Sequence, residues 1–218
     1  MTEAATPTTN APATAAPLRC WSCGGPVASG AVFCATCRAV QPPGDADHFA
    51  RLGLPRAFAL DAAELDRRYF AAQRQLHPDR FATRSPRERA ISQSQAVSLN
   101  DAYETLKAPL ARACYLLKLE GVARTPDQDH TIDDPALLMD QMERREALGE
   151  AADGAAVQRI VAAADADARD ALAAIARAFA RDDLAAAARE TTRLRYLEKL
   201  IEDARLARAR VAPRQAAG

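Results

Sequence analysis

The tripeptide His77-Pro78-Asp79 lies between two amphipathic stretches and constrains the fold of this chain more than any other segment. Upstream, Leu65, Tyr69, Ala72 and Leu76 recur at helical spacing with Arg67, Arg68 and Arg74 between them. That pattern predicts a helix with a buried stripe and a basic flank, and Asp61-Ala-Ala-Glu64 offers it a capping-box-like start. Proline disfavours the helical conformation of the residue before it, so the helix should end at His77 and open a loop. With φ fixed at Pro78, the imidazole of His77 and the carboxylate of Asp79 are presented with little chain freedom. Pro86 suits the first turn of a second helix, which places Ile91, Leu99, Ala102 and Leu106 on one face. A third helix, with Leu110, Ala113, Leu116 and Leu117, starts beyond Pro109 and ends at Gly121.

The same reading carries on to the C-terminal side. After Pro135 three helical stretches are expected, broken near Gly149–Gly154 and near Arg181–Asp183. The last carries Leu194, Leu197, Ile201 and Ala204 on one stripe, and together the three would form a small antiparallel bundle. Abundant alanine and only 5% aromatic residues suit helices packed through small side chains. No segment shows a strand pattern. The expectation is an all-α chain: a tail over 1–17, a small irregular cysteine module over 18–43, a helical hairpin unit over 45–121, a polar connector over 122–134 and a three-helix domain over 135–210. Gln41-Pro42-Pro43-Gly44 reads as a stiff linker.

Four of the five cysteines form two pairs, Cys20-Trp-Ser-Cys23 and Cys34-Ala-Thr-Cys37. Two C-x-x-C pairs on a short loop supply four soft ligands suited to one tetrahedral Zn²⁺. Gly24, Gly25 and Gly30 give the backbone freedom that such turns require. So few apolar residues lie here that metal binding would provide most of the folding energy. An iron–sulfur cluster on the same thiolates is chemically compatible. Disulfides suit an oxidising compartment, and a redox dithiol would sit beside a βαβ pattern that is not visible. Cys114 reads as a small buried hydrophobe.

Lys+Arg and Asp+Glu both total 29, and a net charge of zero argues against a general nucleic-acid or membrane-surface binder. No apolar run approaches a bilayer-spanning length, and the first 17 residues have the features of neither a signal nor a transit peptide, which suggests a cytoplasmic protein. Charge is nevertheless segregated. Segment 51–90 holds nine arginines against five acidic residues, whereas 133–150 holds six acids against two arginines. Gly25 to Gly30 has the outer spacing of a phosphate loop, but Ala31-Val32 follow where Lys and Ser/Thr are needed. His77 and Asp79, in an open loop, lack the pocket and orienting group of an acid–base pair. No catalytic residue is therefore assigned.

The helix after Pro135 does not have one simple apolar stripe. Leu137, Gln141 and Leu148 share one side, while Leu138, Met139, Met142, Glu143 and Glu146 fall on the other. If the first side packs inward, the second exposes two methionines and a leucine beside two glutamates, a surface suited to protein binding. Tyr196 likewise lies off the Leu194/Leu197/Ile201 stripe.

Helix, His-Pro-Asp, helix resembles a J-domain, and LHPDRFA over Leu76–Ala82 and LNDAYETL over Leu99–Leu106 are typical of one J-domain subfamily. His130-Thr131, Ala136 to Leu148 and the run from Arg193 to Leu200 are similar to the C-terminal domain of HscB-type co-chaperones of iron–sulfur cluster assembly. The cysteine module resembles the zinc-binding extension of some members. This resemblance covers nearly all of 45–205 and implies partners acting in trans. His77, Pro78 and Asp79, with Arg67, Arg68 and Arg74, would dock on a DnaK/HscA-type chaperone and trigger its ATP hydrolysis. Leu138, Met139, Met142, Glu143, Glu146 and Tyr196 would bind an IscU-type scaffold protein. Cys20, Cys23, Cys34 and Cys37 would hold the metal. Arg144 stands where the family usually has an apolar residue, and Gly149 where an acidic one often contributes. The alternatives are a J-protein for other clients, although a Gly/Phe-rich linker and repeated C-x-x-C-x-G-x-G units are missing, and a zinc- or cluster-binding regulator.

Overall fold

A computed structural model describes residues 18–122 and 134–211. The expected tail 1–17, most of the connector 122–134 and the phrase His130-Thr131 lie outside the described residues. In chain order the elements are β1 (Leu18–Arg19), β2 (Pro26–Val27), α1 (His48–Arg51), α2 (Ala62–Leu76), a 3₁₀ turn (Pro78–Phe81), α3 (Pro86–Lys107), α4 (Pro109–Leu119), α5 (Pro135–Gly149), α6 (Gly154–Ala180) and α7 (Leu184–Val211). The protein is all-α apart from one small antiparallel pair, in which Leu18 faces Val27 and Arg19 faces Pro26. These strands are a correction to the sequence reading, as is an isolated bridge from Phe33 to Val40. Strands of two residues complete no alternation from which a period of two could be read.

Helices α2 and α3 form the hairpin around Leu65, Tyr69, Leu76, Ile91, Leu99, Ala102 and Leu106, all buried. Tyr69 and Tyr103 stack across it at 3.9 Å between ring centroids. Each hydroxyl is bonded at the rim, Tyr69 donating to Asn100 (2.9 Å) and Tyr103 to Asp66 (2.8 Å). The caps differ in part from expectation. Asp61 accepts from the Ala63 amide, but Glu64 is held by Arg67 and Arg68. The reciprocal capping box instead begins α3, between Ser85 and Glu88. Ala108, constrained by the following proline, is extended at φ −80° and ψ 117°, and this breaks α3 from α4.

Helices α6 and α7 are a long antiparallel pair. Val157, Ala164, Ala171 and Ala178 recur every seven residues on α6 and are buried, facing a buried α7 stripe that includes Ala187, Leu194, Leu197, Ile201 and Ala204. Small side chains at this repeat let the two backbones approach closely. Helix α5 lies against both helices more lightly, with Gln141 as its buried residue and Leu137 and Leu148 half-buried. Hairpin and bundle are not separate beads. One apolar core runs from Val40 and Phe49 through Leu65 and Leu106 to Ile175, Leu197 and Leu200. Leu117 of α4 packs with Ala178 and Ala187, and Phe58 stacks on Phe179 at 5.7 Å. Cys114 is buried in α4, as its sequence context suggests.

Candidate functional site

Three features carry chemistry, and each is positioned by a different part of the fold. In the first, each C-x-x-C pair sits on a tight knuckle. Gly24 donates its amide to the Cys20 carbonyl (2.9 Å), and Arg38 does the same to Cys34 (3.0 Å). The residue after each pair has left-handed backbone, Gly24 at φ 70° and Arg38 at φ 63°. The four sulfurs all lie within 4.8 Å of one another, with Cys20–Cys37 at 3.7 Å and Cys23–Cys34 at 3.8 Å. A tetrahedron of thiolates about 2.3 Å from a Zn²⁺ has edges of about 3.8 Å, so the donor set fits a closed four-sulfur metal site. These separations are far beyond a disulfide bond. Amide donors prepare two of the thiols for ionisation. The Cys23 amide foremost lowers Cys20 to about 6, and the Cys37 amide foremost lowers Cys34. At Cys23 the Gly25 amide acts downward, but the neighbouring thiols and desolvation outweigh it and push the group up to about 11.

The linker reading of Gln41–Gly44 takes on a second meaning in the structure, because this segment docks the knuckles on the hairpin. Gln41 is buried, and its carbonyl accepts from Gln95 of α3 at 2.8 Å. Its own amide donates toward the Cys20 sulfur at 3.4 Å. The Trp21 indole donates to Val40 at 2.7 Å, and the Arg87 guanidinium of α3 lies 4.5 Å above the Trp21 ring.

The second feature is the turn at Pro78. His77 caps α2 in extended backbone (φ −56°, ψ 129°), as its place before a proline dictates. From Pro78 to Phe81 the chain forms a 3₁₀ turn rather than an open loop. His77 Nδ1 accepts from the Asp79 amide (3.3 Å) and lies 3.5 Å from the Asp79 carboxylate. Beneath the turn, buried Ser92 donates to the last α2 carbonyl, Leu76, at 2.8 Å, so α3 holds the end of α2 in place. The three arginines differ. Arg67 pairs with Glu64, Arg74 is exposed, and Arg68 is drawn to Glu64 and the Gly53 carbonyl. Gly53 is left-handed at φ 65°, and a Cβ there would meet Arg68 Nη1 at 2.7 Å. Sequence reasoning passed over Phe70, 48% exposed and at helical spacing from Arg67 and Arg74. Its signal was an aromatic residue off the buried stripe, between the arginines.

The third feature is the outer face of α5. Leu138, Met139 and Met142 are 44%, 57% and 58% exposed, and Glu143 and Glu146 are exposed beside them. Tyr196 lines a neighbouring surface groove of about 810 Å³, which reaches α5 at Arg145. Arg144 turns inward. Its Nε meets both oxygens of Asp140 at 2.8 Å, and Nη2 meets Asp167 of α6 at 2.8 Å. This side chain therefore ties α5 to α6. Gly149 is the last residue of α5.

A hairpin bearing His-Pro-Asp at its tip, fused through a common core to a three-helix bundle, defines a J-domain co-chaperone. A family model for the HSCB C-terminal oligomerisation domain matches residues 133–205. The iron–sulfur cluster co-chaperone protein HscB of Homo sapiens is 42% identical over 146 residues, 65% of this chain and 62% of that protein. The co-chaperone protein HscB homolog of Cupriavidus taiwanensis is 48% identical over 116 residues, 53% of this chain and 65% of that one. The chain thus spans less than two thirds of the length of these curated relatives. The crystal structure of human co-chaperone HscB superposes with a TM-score of 0.81 at 38% identity, covering 87% of this chain and 98% of that one. This chain belongs to the HscB family of co-chaperones of iron–sulfur cluster assembly. Among the described residues, no helix is long and apolar enough to cross a membrane.

Proposed function

We propose that this chain binds an IscU-type iron–sulfur scaffold through α5 and Tyr196, brings it to a DnaK/HscA-type chaperone, and stimulates that chaperone's ATPase through the His77-Pro78-Asp79 turn. The observation that carries the reading is the pairing, in one chain, of an exposed His-Pro-Asp turn with a separate, exposed apolar–acidic helix face. One continuous core joins the hairpin that carries the turn to the bundle against which α5 packs. Arg67, Phe70 and Arg74 give α2 a basic face with an aromatic anchor, suited to steering and then seating an acidic surface. Glu143 and Glu146 give the client face the opposite sign.

The four cysteines are assigned to structural Zn²⁺. When bound, the metal closes the coordination shell and supplies folding energy to the module. Chelation is expected to release one Zn²⁺ per chain and shift the emission of Trp21, the protein's single tryptophan, while the helical signal of α2–α7 persists. Atomic absorption, tryptophan fluorescence and circular dichroism check this, and iron with sulfide in place of zinc would overturn it.

The test of the whole reading is the ATPase of a purified HscA-type chaperone titrated with the full chain, with and without an IscU-type scaffold. Stimulation by the chain that is raised further by the scaffold is the expected outcome. Stimulation that the scaffold leaves unchanged would favour a J-protein for other clients.

A further inference from the structure

We infer that the groove between the cysteine module and the turn following Asp79 is a second chaperone contact, which captures an acidic segment interleaved with apolar residues. This rests on the co-chaperone reading above and adds a site to it. The groove is open and measures about 770 Å³. One wall is Trp21, Phe33 and Arg38 of the module, and the other includes Arg80, Phe81 and Arg84. Arg80 directly follows Asp79, and Phe81 ends the same 3₁₀ turn, so the groove continues the His-Pro-Asp surface.

Three observations point to an acidic occupant. First, Arg38, Arg80 and Arg84 are exposed, and none has a carboxylate partner among the described residues. The one acid lining the groove, Glu88, has its carboxylate engaged by the Ser85 amide and hydroxyl. Second, Arg38 holds the left-handed position that Gly24 fills in the first knuckle. Its guanidinium lies 5.9 Å from the Phe33 ring centroid, which places it at the groove wall. Third, the module wall is anchored to α3. Trp21 is bonded to Val40 and covered by Arg87, and Gln95 holds Gln41. An anchored wall lowers the ordering cost of binding.

The shape selects among anions. The guanidinium groups of Arg38, Arg80 and Arg84, with Trp21, Phe33 and Phe81 in the walls, offer more donors than a lone phosphate can use, and they suit a peptide that carries several carboxylates. The zero net charge of the chain disfavours nucleic acid.

The experiment is the same chaperone ATPase titration with two variants. Arg38→Gly relaxes the backbone while removing the guanidinium, so it should keep or raise thermal stability. Combined with Arg84→Gln, it should raise the chain concentration for half-maximal stimulation about tenfold, an effect of about 1.4 kcal/mol, and leave the plateau unchanged. Arg38→Lys with Arg84→Lys keeps the charge and loses the planar fork, so its half-maximal concentration should fall between those of the parent and the Gly/Gln variant. A half-maximal concentration unmoved in the Gly/Gln variant overturns the inference while leaving the J-domain reading intact. A parent chain that gives no stimulation overturns both. Saturable quenching of Trp21 by a thymidine oligonucleotide of about twelve residues at physiological salt would assign the groove to nucleic acid and overturn it too.

Discussion

His77→Gln is expected to abolish stimulation of the chaperone ATPase, a loss of roughly a hundredfold or about 2.7 kcal/mol of transition-state stabilisation, and to leave the fold unchanged. The reason for the second half is local. The His77 side chain is about half exposed, and among the described residues its hydrogen-bond and ion-pair partners are the Asp79 amide and carboxylate within its own turn. An exposed hydrogen bond of this kind contributes at most about 1 kcal/mol. The end of α2 is held from below by Ser92 on the Leu76 carbonyl, which the substitution does not touch. The reason for the first half is presentation. Pro78 fixes φ in the turn, and the Nδ1 contacts with Asp79 orient the half-exposed ring, so that it can meet a partner at little entropic cost. Glutamine has similar reach but no second ring nitrogen at that place, and it brings extra rotamer freedom. Urea unfolding and circular dichroism would read the fold, and the ATPase plateau would read the function. An undiminished plateau would remove His77 from the mechanism.

Much of this was legible in the amino-acid sequence, and the exceptions have two causes. The helices α2 to α7 follow from apolar periodicity and from Pro86, Pro109 and Pro135 at their first turns. The four sulfurs converge as the C-x-x-C spacing requires. Local rules were ambiguous where one side chain could serve two partners. Glu64 could have closed a capping box, but Arg67 and Arg68 lie within reach on the same helix and take it. Ser85 and Glu88 met the same pattern without that competition. Contacts across long separations left no local trace at all. Gln41 to Gln95, Arg87 over Trp21 and Phe58 on Phe179 join segments far apart in the chain, and no periodicity encodes them. Arg144 is the sharpest case. As a letter in the sequence it interrupts an apolar pattern; in the fold it is an ion-paired strut to Asp167, and Arg193 lies 3.7 Å from the same carboxylate.

Replacing Leu138, Met139 and Met142 together by alanine is expected to weaken scaffold binding about a hundredfold, measured by calorimetry on the full chain. Each side chain is roughly half exposed, so each retains apolar area that a partner can cover. Truncation in a buried interface centre costs about 1 kcal/mol per side chain, and three such losses sum to about 3 kcal/mol, or two decades in Kd. Alanine favours helix, and these side chains point away from the inner face that carries Gln141, Leu137 and Leu148. Stability should therefore hold or rise slightly. Arg144→Leu supplies the contrast. It removes the link between α5 and α6, leaving Asp140 and Asp167 without that cation, and should lower stability while acting on binding only through the seating of α5. A triple variant that binds as tightly as the parent would move the client surface off α5, and the groove lined by Tyr196 and Arg145 would be the next place to test.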